Sequence, residues 1–97
     1  MPRVRSYRAI AKRTRARLFE EQGGRCYYCA APMVDRGVDA FGRLHPLQVT
    51  LDHVIPRARG GVNAPTQNTV AACHRCNAER STQDARLFML EKQGMMA

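Results

Sequence analysis

Packing residues recur at helical spacing in the first stretch of the chain: Tyr7, Ile10, Ala11, Thr14 and Leu18 fall on one side, with Ser6 placed to cap the start and Gly23-Gly24 to stop it. This spacing predicts a helix over residues 6–22. Its other side is basic, with Arg5, Arg8, Lys12 and Arg15 in a stripe that can lie along a phosphate backbone. The periodicity then dissolves. Residues 30–46 contain Pro32, Gly37, Gly42 and Pro46 and read as loop with room for a short hairpin. Residues 47–51 alternate apolar and polar and predict a half-buried strand ending near Asp52-His53, because Pro56 lacks the N–H that a ladder needs. A loop over 55–67 follows, then a second short strand at about 69–72 and a helix from about Arg75 that carries Asn77 in its first turn. A separate last helix is expected to start at Ser81 or Thr82 and end near Gly94.

The cysteines change this picture from a list of elements to a frame. Cys26/Cys29 and Cys73/Cys76 form two Cys-x-x-Cys pairs that bracket Asp52-His53, and Asn77 follows the last of them directly. Four thiolates can hold one zinc tetrahedrally and so draw Asp52, His53 and Asn77 together. Disulfides are the rival use of four cysteines. They predominate in secreted proteins, and no apolar signal-peptide core stands among the first residues, so a reduced zinc site in the cytoplasm is the expectation. His74, inside the second pair, is read as a bystander. A chain of 97 residues is expected to form one small domain short of apolar volume, which a metal helps to stabilise. Its parts would be a basic helical arm over 1–25, a zinc-framed core over 26–80 and a C-terminal helix over 81–97.

Sixteen Lys and Arg against eight Asp and Glu leave a net charge of +8, which predicts attraction to a polyanion, with nucleic acid the natural partner. Eight of the sixteen precede Cys26, and with only Glu20 and Glu21 nearby they read as a phosphate-contacting arm. No run approaches the length of a transmembrane helix, so a soluble protein without a membrane partner is expected.

The order Cys26-x-x-Cys29, Leu51-Asp52-His53-Val54-Ile55-Pro56-Arg57-x-Arg59-Gly60-Gly61, Asn68, and Cys73-His74-Arg75-Cys76-Asn77-x-x-Arg80 resembles the HNH endonucleases, in the phage and bacterial branch whose core is framed by four cysteines. The resemblance covers residues 26–80. It implies an α+β fold, a small ββα-metal, treble-clef-like core stapled by a four-cysteine zinc site, and hydrolysis of DNA phosphodiesters leaving 5′-phosphate and 3′-hydroxyl ends. By the same resemblance His53 is the general base, Asp52 and Asn77 hold the catalytic divalent cation, and Asn68 braces the loop and orients the His53 ring. Arg57, Arg59 and Arg80, together with Arg8, Lys12 and Arg15, are the expected DNA contacts.

The chemistry of these residue types agrees. Imidazole titrates near neutrality and suits a general base once its ring is fixed. A carboxylate and an amide oxygen are hard ligands suited to Mg²⁺ or Mn²⁺, although Ni²⁺ or Zn²⁺ also fit such a set. Two other classes remain open from sequence: a zinc module that binds nucleic acid without cutting it, and a nuclease core serving a phage packaging assembly with terminase proteins. A monomer or weak dimer is expected.

Overall fold

The computed structural model describes residues 6–55, 60, 61, 64, 66–81 and 83–94. The first helix, α1, is Tyr7–Glu21. The Ser6 hydroxyl caps it by accepting from the Ala9 N–H at 3.2 Å, and the chain leaves it through Gly23 and Gly24, both at positive φ. Tyr7 is half exposed and Thr14 is the one residue of α1 that is fully buried, so the N-terminal turns stand away from the core.

Gln22, just past α1, fixes this helix to the sheet. Its side-chain amide donates to Ala71 O and accepts from Ala71 N–H, both at 2.9 Å, in place of a strand neighbour. The Tyr27 N–H also donates to Ala71 O, at 3.0 Å, and the Cys73 N–H donates to Cys26 Sγ at 3.3 Å. Residues 22–28 therefore run along the outer edge of the second strand, which delivers the first cysteine pair beside the second.

The sheet has two antiparallel strands, β1 (Val49–His53) and β2 (Thr69–Cys73), paired without a break from Val49↔Cys73 to His53↔Thr69. β1 begins two residues later than its alternation predicts. Leu47 and Gln48 instead engage the preceding loop: Val34 N–H donates to Leu47 O and Val49 N–H donates to Val34 O. Within that loop a Val38↔Leu44 bridge closes a small hairpin.

Helix α2 (His74–Arg80) starts directly from β2, with Cys73 as its N-cap, and stops at Ser81, whose φ is positive. Helix α3 (Ala85–Lys92) is capped by Asp84, whose carboxylate accepts from the Leu87 N–H at 3.1 Å. Ser81, the expected cap, ends α2 instead, because its N–H turns back to Asn77 O. Thr82, the alternative, lies outside the described residues, as do Arg5 and Pro56.

Tyr28, Val49, Ala71, Ala72 and Phe88 lie at the centre, and three of the ten buried apolar residues among those described are cysteines, so the cysteine sulfurs are themselves much of the core. Phe88 of α3 meets Tyr28 edge-on with ring centroids 5.2 Å apart, and Gln93 donates to Tyr28 O at 3.0 Å. No helix among the described residues is long and apolar enough to cross a membrane.

Candidate active site and zinc site

The sulfurs of Cys26, Cys29, Cys73 and Cys76 all lie within 4.8 Å of one another, and those of Cys29 and Cys73 are 3.9 Å apart. Four sulfurs at about 2.3 Å from a tetrahedral zinc are separated by about 3.8 Å, so the cluster has the dimensions of a site with four thiolate ligands. A disulfide needs sulfurs at about 2.05 Å, and all four cysteines are free. Backbone N–H groups point at the sulfurs: Tyr28 donates to Cys26 at 3.4 Å and Cys76 to Cys73 at 3.4 Å. Burial pushes the Cys73 and Cys76 thiols up, whereas Cys29 sits below its usual value because the Ala31 N–H and the neighbouring thiols outweigh its own burial. Four crowded thiols cannot all ionise unaided, and a dication is the group that lets them. The His74 N–H goes to Gln48 O, and His74 is no member of the cluster.

The cysteine cluster and the strand end are joined through α2. Thr50 and Asp52, two apart on β1, share one face, and Asn77 and Arg80, three apart on α2, share another. These faces meet. Asn77 Nδ2 donates to Thr50 Oγ1 at 3.0 Å, and Arg80 Nη1 donates to Asp52 Oδ2 at 2.8 Å. Tyr28 OH donates to the same Asp52 oxygen at 2.5 Å. Asp52 Oδ1 and Asn77 Oδ1 take no hydrogen bond among the described residues, which leaves two hard oxygen donors on adjoining elements. That donor set fits a Mg²⁺-like ion.

His53 is the last residue of β1, so it is the ending of the strand, with no bulge, that sets it beside Asp52. Its Nε2 is buried and has no hydrogen-bond partner among the described residues. Asn68 makes no bond to the His53 ring. It grips the chain two residues on, accepting from the Ile55 N–H at 2.9 Å and donating to Ile55 O at 2.8 Å, in a left-handed conformation that asparagine tolerates. The brace therefore acts on the backbone that carries His53.

Gly61 completes this brace. A Cβ there would sit 1.8 Å from Ile55 O and 3.0 Å from Asn68 Nδ2, so nothing larger than glycine fits without moving the carbonyl that Asn68 holds. Gly61→Ala is expected to destabilise the protein by about 1–3 kcal/mol through overpacking, read as a lower midpoint in thermal unfolding. An unchanged midpoint would mean that the 55–61 contact is not kept in solution.

Arg80 is a correction to the sequence reading, which gave it to DNA. Its side chain is 1% exposed and is spent on Asp52, His53 O and Val54 O, with its guanidinium 5.5 Å from the centre of the Tyr28 ring. Its Nε has no hydrogen-bond partner among the described residues, but a guanidinium buried this deeply and paired with a carboxylate is out of reach of a phosphate. The spacing Asn77-x-x-Arg80 held the signal: a residue three beyond an inward-facing Asn77 must also face inward. Removing the Asp52 side chain altogether would strand Arg80, a loss that costs about 3–5 kcal/mol at buried pairs. Of the other expected DNA contacts, Arg8 and Lys12 are exposed on α1 and Arg15 is half-buried, while Arg57 and Arg59 lie outside the described residues. The Gln22 amide and the Tyr28 hydroxyl find partners 49 and 24 residues away, which neither their type nor their spacing reveals.

A two-stranded antiparallel sheet followed by a helix, stapled by four clustered cysteines, defines a ββα-metal core. Residues 45–89, just under half of the chain, match the family described as HNH endonuclease. It is also similar to the CRISPR-associated endonuclease Cas9 of Corynebacterium diphtheriae, 31% identical over 61 residues, which are 63% of this chain. The chain spans 5% of the length of that relative. The matched family is described as an endonuclease, and nuclease chemistry is the class in which the site is read below.

Proposed function

We propose that this chain is a divalent-cation-dependent DNA endonuclease in which Asp52 and Asn77 hold the catalytic ion and His53 is the general base. The observation that carries this reading is the meeting of the Thr50–Asp52 face with the Asn77–Arg80 face, next to a histidine at the strand end. His53 accepts the proton of the attacking water at its imidazole, while Asn68 holds the Ile55 backbone just beyond it. Asp52 and Asn77 would hold a cation there, which would neutralise the charge that builds on the phosphate and the leaving 3′ oxygen. Arg8, Lys12 and Arg15 of α1 hold the DNA by its phosphates, a contact without base preference. The sulfur-bound zinc is structural, since four protein ligands leave no open position.

The experiment is nicking of supercoiled plasmid by purified, zinc-loaded protein with and without added Mg²⁺ or Mn²⁺. Open circles that accumulate only with the cation are expected. Asp52→Asn, which keeps an acceptor for Arg80, should slow nicking on the order of a hundredfold while keeping one zinc per chain. Binding of DNA with no nicking under any cation would instead favour a non-catalytic, zinc-containing nucleic-acid-binding module.

A further inference from the structure

Tyr28 lies between Cys26 and Cys29, fully buried, yet its hydroxyl is bonded to a carboxylate 24 residues away. Asp52 Oδ2 receives that bond and a second from Arg80 Nη1. The same guanidinium donates to His53 O at 3.0 Å and, through Nη2, to Val54 O. One oxygen of Asp52 is thus saturated by two donors, and one side chain secures both the carboxylate and the backbone of the residue beside it.

We infer that Tyr28 and Arg80 are positioning residues for the cation site: they hold Asp52 Oδ2 so that Oδ1 alone is presented to the ion. The inference rests on the proposed role of Asp52 as ligand. A carboxylate free to rotate would offer the ion either oxygen or both, and partners of a ligand's second atom are what remove that freedom. Because Tyr28 is held between two zinc-binding cysteines, the structural metal reaches the catalytic end of β1 through a single side chain.

The test uses Tyr28→Phe, which keeps the ring against Phe88 and removes only the hydroxyl, and Arg80→Lys, which keeps the charge and loses the fork. For the zinc-loaded full chain, nicking rate is measured against Mn²⁺ concentration, and Mn²⁺ binding is measured separately by electron paramagnetic resonance. The half-saturating Mn²⁺ concentration and the dissociation constant are both expected to rise about tenfold in Tyr28→Phe, with the saturated rate little changed, and further in Arg80→Lys. A lowered melting midpoint with an unchanged Mn²⁺ requirement would overturn the inference, since it assigns both bonds to stability alone. A wild type that binds no Mn²⁺ overturns the ligand reading itself, and the inference with it.

Discussion

Replacing His53 with alanine is expected to lower cleavage of supercoiled DNA by about 10²- to 10⁴-fold, the range that a positioned general base contributes. The fold should hardly notice. His53 occupies a strand end, its Nε2 makes no hydrogen bond among the described residues, and the backbone around it is secured by Arg80 and Asn68 instead. The expected loss of stability is no more than about 1 kcal/mol, with zinc content and DNA affinity retained. That combination separates a base from a packing residue: a packing role would lower the melting midpoint and leave nicking of the surviving folded protein intact. Full cleavage by His53→Ala would remove the proposed mechanism.

Loss of the sulfur-bound metal should have the largest effect on structure. Structural zinc is worth about 10–16 kcal/mol in zinc-finger peptides, more than a small domain's net stability of about 5–15 kcal/mol. Here Cys26, Cys73 and Cys76 are core residues as well as members of the sulfur cluster, and Cys73 also caps α2. Chelation strong enough to strip zinc, or Cys73→Ala, should therefore abolish the helical circular-dichroism signal in one cooperative step. Acid should act in the same direction, because protons compete with the metal for the thiolates. A chelated protein that keeps its melting transition would mean that hydrogen bonding and apolar packing suffice without the ion.

The parts of this fold legible in the sequence are those set by short-range chemistry. Ser6 and Gly23-Gly24 delimit α1 because capping and left-handed exits depend on neighbours only. The paired cysteines announce a cluster because two x-x spacings have few other uses in a reduced protein. The start of β1 differs by two residues because alternation cannot say which partner a segment pairs with, and Leu47 and Gln48 pair with the loop at Val34 while β2 takes over at Val49. Asp84 does not stand out as a cap because Ser81 and Thr82 come first in a run of equally suitable residues. Arg80 misleads because an arginine in a basic chain is surface charge by default, and only a long-range carboxylate makes its burial tolerable. At the candidate site, the elements carrying Asp52, His53, Asn68 and Asn77 can be foreseen, whereas the Tyr28–Asp52–Arg80 contact joins three elements and exists only in the folded chain.

Everything in the proposed chemistry depends on a cation held by Asp52 and Asn77 apart from the cysteines. Anomalous diffraction from crystals of zinc-loaded protein soaked in Mn²⁺ locates it directly. A manganese peak between Asp52 Oδ1 and Asn77 Oδ1, separate from a zinc peak among the four sulfurs, is the expected result. Manganese absent from that position in crystals that show the zinc would contradict it.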